Sequence, residues 1–233
     1  MGNQVVSGGG REDHQDLPQQ KPLRRWDVLD MDPSHFLAEG PLTKMTPAVR
    51  KLADSLPDVV KPSDMQAVVD RLLEFKVEKP GPEVLNHAYA NRSADEIITS
   101  GKVLKGRTPA IPEPHGVFGC VDYATAFVAV ARAKGIPAKF VRSNTHSYAH
   151  FHLAGQWYEA ETSPASFVDD DDDAISKNVL RLTETRAREN QVAAGHRAHR
   201  EGLDPMDIGM KSINDYFICA PGRKDQLLDY RDK

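Results

Sequence analysis

The feature that most constrains the fold is a strongly apolar helix pattern that begins at Cys120. Over residues 120–134, apolar side chains recur at helical spacing: Val121, Ala124, Phe127, Val128 and Ala131. Gly135 and Pro137 follow at once, and they are typical of a helix end because glycine accepts a left-handed conformation and proline cannot continue the helix. The pattern predicts a buried helix on which the rest of the fold packs.

The residues after this helix change to the pattern of short strands. Strands are predicted at 138–141, 146–153 and 156–161. Residues 154–155, Ala-Gly, predict a two-residue turn that joins the last two strands as a hairpin. The position of this turn decides which side chains of the two strands face each other.

The first half of the chain predicts three helices. Apolar stripes indicate one helix that starts at Thr46 and another that starts at Pro62. Residues 93–101 predict the third, because Ser93 and Glu96 have capping-box spacing and a glycine stands where the helix should end.

Other segments have the composition of irregular or exposed structure. Residues 1–25 contain little that could be buried and are expected to form a disordered arm. Prolines dominate 101–116, which predicts an irregular loop, whereas alternating charges and alanines at 175–200 predict an exposed helix. The length of the remainder, 26–233, suits a single domain.

Composition and charge argue against several classes of partner. The formal net charge is -4, with Lys and Arg interspersed among Asp and Glu, so nucleic acid is not an expected partner. No apolar run reaches the roughly 18 residues of a membrane span, and the first residues lack the layout of a secretion signal. The two cysteines, Cys120 and Cys219, do not form a disulfide framework. A cytoplasmic protein with reduced thiols is therefore expected.

Cys120 lies at the predicted start of its helix, where negative charge on a thiol is favoured. Unpaired backbone N–H groups and the helix dipole stabilise a thiolate there. Gly119 would let the backbone approach a bound acyl group, and the Cys120 N–H would then face a developing oxyanion. The alternative is that Cys120 is a small buried apolar residue, as many free cysteines are.

A thiol nucleophile needs a base, and the predicted hairpin supplies a base and an acid that orients it. With the turn at 154–155, Glu161 lies diagonal to His146 on the same face of the sheet. If the turn moves by one residue, Glu161 faces His150 instead, which makes His150 the reserve base. The candidate catalytic residues are thus Cys120, His146 and Glu161.

Residues 116–141, GVFGCVDYATAFVAVARAKGIPAKFV, resemble the core of the transglutaminase-like superfamily. The shared features are a glycine before the cysteine, an acidic and an aromatic residue after it, and the pattern A-R-A-x-G-I-P-A. The superfamily continues with a histidine at a strand start, an aromatic residue two positions on, and a tryptophan four residues before the acid. The residues that match are His146, Tyr148, Trp157 and Glu161.

The resemblance implies a papain-like α+β fold, in which the nucleophile helix packs on an antiparallel sheet that carries the base and the acid. It covers about 93–165 most strongly, which places the core of one catalytic domain there. Three departures stand out: the acid is Glu161 where the superfamily usually has Asp, Tyr148 stands where Trp is common, and 102–115 is an insertion that could lie over the cleft.

The activity that the resemblance implies is attack of Cys120 on an amide carbonyl to form a thioester, followed by acyl transfer to water or to an amine. Protein or peptide amides are the expected substrates, and no cofactor is expected. Contacts to the oxyanion or the substrate are expected among Gly119, Asn86, Tyr89 and Tyr148.

Two other functions remain open. A non-catalytic member would use the same groove to bind a partner peptide, although no residue type of the triad is missing. Alternatively, His146, His150 and His152 share one face of a strand and, with Glu159 or Glu161, suit Zn or Fe. The cysteine motif would then be unexplained, so no metal site is expected, and the latter two histidines are expected to be partly exposed.

Overall fold

The computed structural model describes most of the chain between residues 32 and 215. The described residues are 32–111, 117, 119–143, 146–163, 174–176, 179–181 and 200–215. The arm predicted at 1–25 lies outside them, as does Cys219.

The described residues include five α-helices. These are α1 (Pro47–Asp54), α2 (Gln66–Leu73), α3 (Pro82–Ala88), α4 (Ala94–Ser100) and α5 (Cys120–Ala133). The helices predicted near Thr46, Pro62 and 93–101 are confirmed, the second as a 3-10 turn that runs into α2. Helix α3 was not predicted, because its seven residues bury only Leu85 and therefore show no apolar stripe.

Helix α5 forms the centre of the core. Every residue from Cys120 to Arg132 is buried, and the helix packs against α1, α2 and α4 as well as against the sheet. A helix that is apolar on all sides is stable only when it is covered on all sides, which explains this position. Its predicted start and its end near Gly135 are confirmed.

Six strands form one antiparallel sheet. Their bounds are β3 (Ala138–Arg142), β4 (Ser147–Leu153), β5 (Gln156–Ala160), β6 (Ala174–Ser176), β7 (Val179–Arg181) and β8 (Arg200–Gly202). The strand order is β6-β7-β5-β4-β3-β8. The three predicted strands are confirmed as the central β3, β4 and β5. Helices on one face of an antiparallel sheet give the expected α+β fold.

The hairpin between β4 and β5 has the predicted register. Leu153 pairs with Gln156 across the turn, so Ala154 and Gly155 are the two turn residues. Both have positive φ, 50° and 79°, as a hairpin turn that matches the strand twist requires. This register excludes the alternative in which Glu161 faces His150.

Two segments differ from the prediction. The helix predicted at 175–200 is wrong where the structure describes it, because β6, β7 and the start of β8 occupy those positions. Pairing with distant strands outweighs a local preference for helix. The loop predicted at 101–116 contains β2 (Lys102–Leu104), which pairs in parallel with β1 (Lys76–Glu78).

The helices that the structure describes are short and mostly amphipathic. None of them is long and apolar enough to cross a membrane.

Candidate active site

The predicted nucleophile is the first residue of α5. Cys120 is a free cysteine, buried to 7% exposure. Gly119 precedes it with φ +79°, a left-handed conformation that residues with a side chain rarely adopt. This conformation turns the chain abruptly into the helix, so the thiol lies at the helix N-terminus as expected.

The predicted base and acid meet at the open end of the hairpin. His146 lies just before β4 and Glu161 just after β5, and His146 Nε2 is 2.6 Å from Glu161 Oε2. The second carboxylate oxygen of Glu161 accepts hydrogen bonds from the N–H and the hydroxyl of Ser163, each at 3.0 Å. The longer side chain of Glu thus reaches the histidine while it remains anchored to its own loop.

The Cys120 thiol is the other partner of the His146 imidazole, because the interaction between the two side chains lowers the pKa of the thiol and raises that of the imidazole. Because Nε2 is engaged with Glu161, Nδ1 is the ring nitrogen left for the sulfur. The structure therefore brings the three predicted catalytic residues together in the order thiol, imidazole, carboxylate.

The electrostatics of the pair favour its charged form. Burial raises the pKa of the Cys120 thiol, but the hydrogen bond and charge of His146, with smaller effects of Arg142 and the Ser147 N–H, lower it overall. Burial lowers the pKa of His146, but its bonds to Cys120 and Glu161 and their charges raise it to about 10. The two shifts favour a thiolate beside an imidazolium.

Arg142 and Ser147 are site residues that the sequence reasoning missed. They pair across β3 and β4, and Arg142 Nη1 donates to Ser147 Oγ at 3.0 Å. Arg142 is fully buried and its charge acts on Cys120. The signal was present in the sequence, because Arg142 alternates with the core residues Ala138 and Phe140 along β3 and so shares their face.

The aromatic residue after the histidine packs on the base. Tyr148 is buried, and its ring stacks on His146 with centroids 5.9 Å apart and an interplanar angle of 24°. On its other side it contacts His150 at 5.5 Å between centroids. Tyr148 therefore limits the orientations open to the imidazole of His146.

Of the four residues expected to contact the oxyanion or the substrate, two line a cavity at Cys120 and two do not. Gly119 and Tyr89 line a cavity that reaches Cys120. Asn86 does not line it, and its amide oxygen accepts a hydrogen bond from Thr108 Oγ1 at 2.5 Å. Tyr148 contacts the base, as described above.

The acidic residue of the cysteine motif has a structural role. Asp122 Oδ2 accepts a hydrogen bond from Arg92 Nη1 at 2.5 Å and another from the Leu104 N–H at 3.0 Å. Arg92 also donates to the Lys102 carbonyl at 3.1 Å. Asp122 thus ties the start of α5 to β2 and to the loop before α4.

The reserve base is not part of this arrangement. His150 was expected to be partly exposed, but it is only 3% exposed. Its ring nitrogens are each 3.6 Å from a carboxylate, Nε2 from Glu159 and Nδ1 from Glu201. Within the described residues, no group of three or more His, Cys, Asp or Glu side chains is placed to hold a metal ion.

Comparison with known proteins agrees with this geometry. The model of the Transglutaminase-like superfamily matches residues 86–162, which include the thiol, the imidazole and the carboxylate. No curated protein matches the chain.

Two solved structures with low sequence identity resemble the chain. One is a "putative cysteine protease" from Cytophaga hutchinsonii, with 17% identity and a TM-score of 0.47 over 78% of this chain and 52% of that one. The other is the periplasmic domain of TgpA from Pseudomonas aeruginosa bound to ethylmercury, with 19% identity and a TM-score of 0.38 over 57% of this chain and 50% of that one. The alignments span about half the length of these two structures.

Proposed function

We propose that the chain is a cysteine-dependent enzyme that transfers acyl groups from amides, on the premise that residues 86–162, which match the model of the Transglutaminase-like superfamily, form a core of that type. The observation that supports this most directly is the contact of 2.6 Å between His146 Nε2 and Glu161 Oε2. The same imidazole also interacts with the Cys120 thiol. A buried structural cysteine needs no such partners.

The proposed first step is acylation of the enzyme. The Cys120 thiolate attacks the amide carbonyl carbon, a C–S bond forms, and the carbonyl oxygen becomes an oxyanion near the start of α5. The imidazolium of His146 then gives its proton to the amine nitrogen as the C–N bond breaks. A thioester remains on Cys120, and Glu161 keeps the ring in the orientation that serves both bonds.

The proposed second step releases the acyl group. Neutral His146 takes a proton from the acceptor, which attacks the thioester and regenerates the thiolate and the imidazolium. The His146 side chain is 37% exposed, so water can reach the base. This exposure favours hydrolysis of protein or peptide amides, with transfer to an amine as the competing outcome.

The test is the reactivity of the thiol. Iodoacetamide labelling at pH 6, followed by peptide mass mapping, should modify Cys120 roughly tenfold faster than it modifies N-acetylcysteine, because a lowered thiol pKa leaves more of Cys120 as the reactive thiolate. The His146→Ala variant should lose this advantage. The His152→Ala variant is the matched control, since it removes a histidine from the same strand and should keep it. A Cys120 that is inert, or that ignores the loss of His146, would contradict the proposed function.

A second experiment tests the amide chemistry. The protein is incubated with a defined mixture of peptides, quenched with acid and analysed by mass spectrometry. Acylation of Cys120 and new peptide ends are expected from the wild type. Neither should appear with Cys120→Ser, in which the thiolate is replaced by a weakly acidic hydroxyl.

A further inference from the structure

The cavity beside Cys120 limits which substrate side chains fit next to the nucleophile. We infer that it holds the side chain next to the carbonyl that Cys120 attacks, and that it selects a small apolar group of methyl size. This inference rests on the proposed function and gives it a substrate class.

The walls of the cavity are mainly apolar. Helix α3 and the residues after it supply one side, and β2, Val117 and the first turn of α5 supply the other. The apolar lining residues include Leu85, Ala88, Leu104, Val117 and Val121. The lining also includes Gly119 and Cys120, so a group bound in this cavity lies beside the proposed nucleophile.

The charged residue among those that line the cavity already has hydrogen-bond partners. Of the lining residues, Asp122 carries a charge, and its carboxylate holds Arg92 and the Leu104 N–H. A charged side chain that entered the cavity would lose its water without gaining an ionic partner from the described lining residues. The lining therefore selects against polar side chains.

The cavity is small, and the residues that line it have little room to move apart. Its volume is about that of one water molecule, which is also close to that of a methyl group. The Leu85 side chain packs closely against the backbone of Gly106. A Cβ added to Gly106 would lie only 2.6 Å from Leu85 Cδ1, so Leu85 cannot move in that direction. Ala90, also in the wall, has φ +57°, a strained conformation for a residue with a side chain. A side chain larger than alanine would force these residues apart.

The experiment measures acylation of Cys120 by p-nitrophenyl esters of N-acetylated glycine, alanine, serine and leucine. The release of nitrophenolate gives the rate, and mass mapping confirms the modified residue. The alanine ester should acylate Cys120 roughly tenfold faster than the glycine and leucine esters, the scale on which an apolar pocket discriminates one methyl group. The serine ester, similar in size but polar, should also be slower.

Two variants assign any preference to the cavity. Leu85→Ala enlarges it and should move the preference towards leucine. Ala88→Leu fills it from a partly exposed position and should remove the advantage of alanine over glycine. Val84→Ala is the matched control, because Val84 is an exposed residue of the same helix and should leave the order of the esters unchanged.

The possible results distinguish a wrong cavity assignment from a wrong proposed function. Acylation that depends on His146 but shows no preference for alanine, or a preference that survives Ala88→Leu, would overturn the cavity assignment alone. Absence of acylation with every ester, or acylation indifferent to His146→Ala, would overturn the proposed function and the inference with it.

Discussion

The pKa values of Cys120 and His146 move in opposite directions, and each shift has a cause in the other residue. The thiol loses its proton more readily because an imidazolium lies beside it, and the imidazole keeps its proton because a thiolate and Glu161 lie beside it. In the proposed function, this pairing prepares the thiol for nucleophilic attack before a substrate arrives.

This pair predicts two different pH profiles. Alkylation of Cys120 needs only the thiolate, so it should persist below the ordinary thiol range of about 8.5 and fall only when acid protonates the thiolate through its lowered pKa. Amide turnover also needs the proton on His146, so it should fall again as pH rises through the raised pKa of His146, to about 10. Both rates are measured between pH 4 and pH 11. A single rise of both near the free-thiol range would contradict the ion pair.

Arg142 provides a second positive charge for the thiolate. The Arg142→Met variant should raise the Cys120 pKa and slow alkylation at pH 6 roughly tenfold for each unit of that rise. Arg142→Lys keeps the charge and should restore part of the rate. Arg200→Met is the control, since Arg200 pairs with Arg142 in register but donates to the Ile208 carbonyl instead. Thermal unfolding of each variant shows whether a lower alkylation rate comes from loss of the Arg142 charge or from a fold that is destabilised by loss of this buried side chain.

At the scale of single elements, the sheet has a different role on each face. One face packs on α5 through contacts such as Phe151 with Phe127. The other face buries ionisable groups, among them Lys139 and Glu201, whose Nζ and Oε2 are 2.6 Å apart. The Lys139 ammonium also lies 4.2 Å from the centre of the Trp157 ring. These contacts join β8 to β3 and place Trp157 of the family pattern next to a cation.

Removal of one partner of this buried pair should be costly. Lys139→Met leaves the Glu201 carboxylate buried without its cation, and the free energy of unfolding should fall by about 3–5 kcal/mol. The double variant Lys139→Met/Glu201→Leu should recover much of that loss, because neither charge remains. Urea unfolding measures both.

The chain contains an exposed pair that serves as the control. Lys102 and Glu78 are 3.2 Å apart with both side chains 45% exposed. Lys102→Met should change the free energy of unfolding by less than about 1 kcal/mol, since water screens this pair. Equal losses from the two lysine substitutions would contradict the role of burial.

At the scale of the whole molecule, Arg132 connects segments that are far apart in sequence. It is 2% exposed and donates hydrogen bonds to the carbonyls of Phe36, Ala138 and Leu203 and to the hydroxyl of Thr43. Burial lowers the pKa of Arg132 to about 10, against the charges of nearby carboxylates, so it stays protonated near neutrality. The arginine of the motif A-R-A-x-G-I-P-A thus holds both ends of the described chain against α5 and β3.

The Arg132→Met variant should therefore destabilise the whole fold. Buried carbonyls would lose their donors, and the free energy of unfolding should fall by about 3–5 kcal/mol. For a chain of this size, Tm should fall by about 10 °C, as measured by circular dichroism or calorimetry. Lys134→Met is the control, because Lys134 Nζ donates only to the Leu56 carbonyl in a part-buried bond. A Tm within 2 °C of the wild type would contradict the role of Arg132.

The sequence was sufficient for the central helix, the three middle strands and the hairpin turn, because each depends on residues close together in the chain. Periodicity shows α5, and the Ala154-Gly155 dipeptide accepts the positive φ that its turn requires. Once this register is known, Glu161 follows as the partner of His146. The arrangement of the three candidate catalytic residues was therefore predictable, and their roles stay a prediction.

What the tertiary structure decided depends on contacts between distant parts of the chain. The strands β6, β7 and β8 form only against neighbours, so the local helix-like pattern was misleading at the positions of 175–200 that the structure describes. The burial of His150, the position of Arg142 behind the thiol and the size of the cavity at Cys120 likewise depend on several elements packing together. Local sequence thus determined which residues are candidates for catalysis, whereas tertiary packing decided their burial, their partners and the space left beside them.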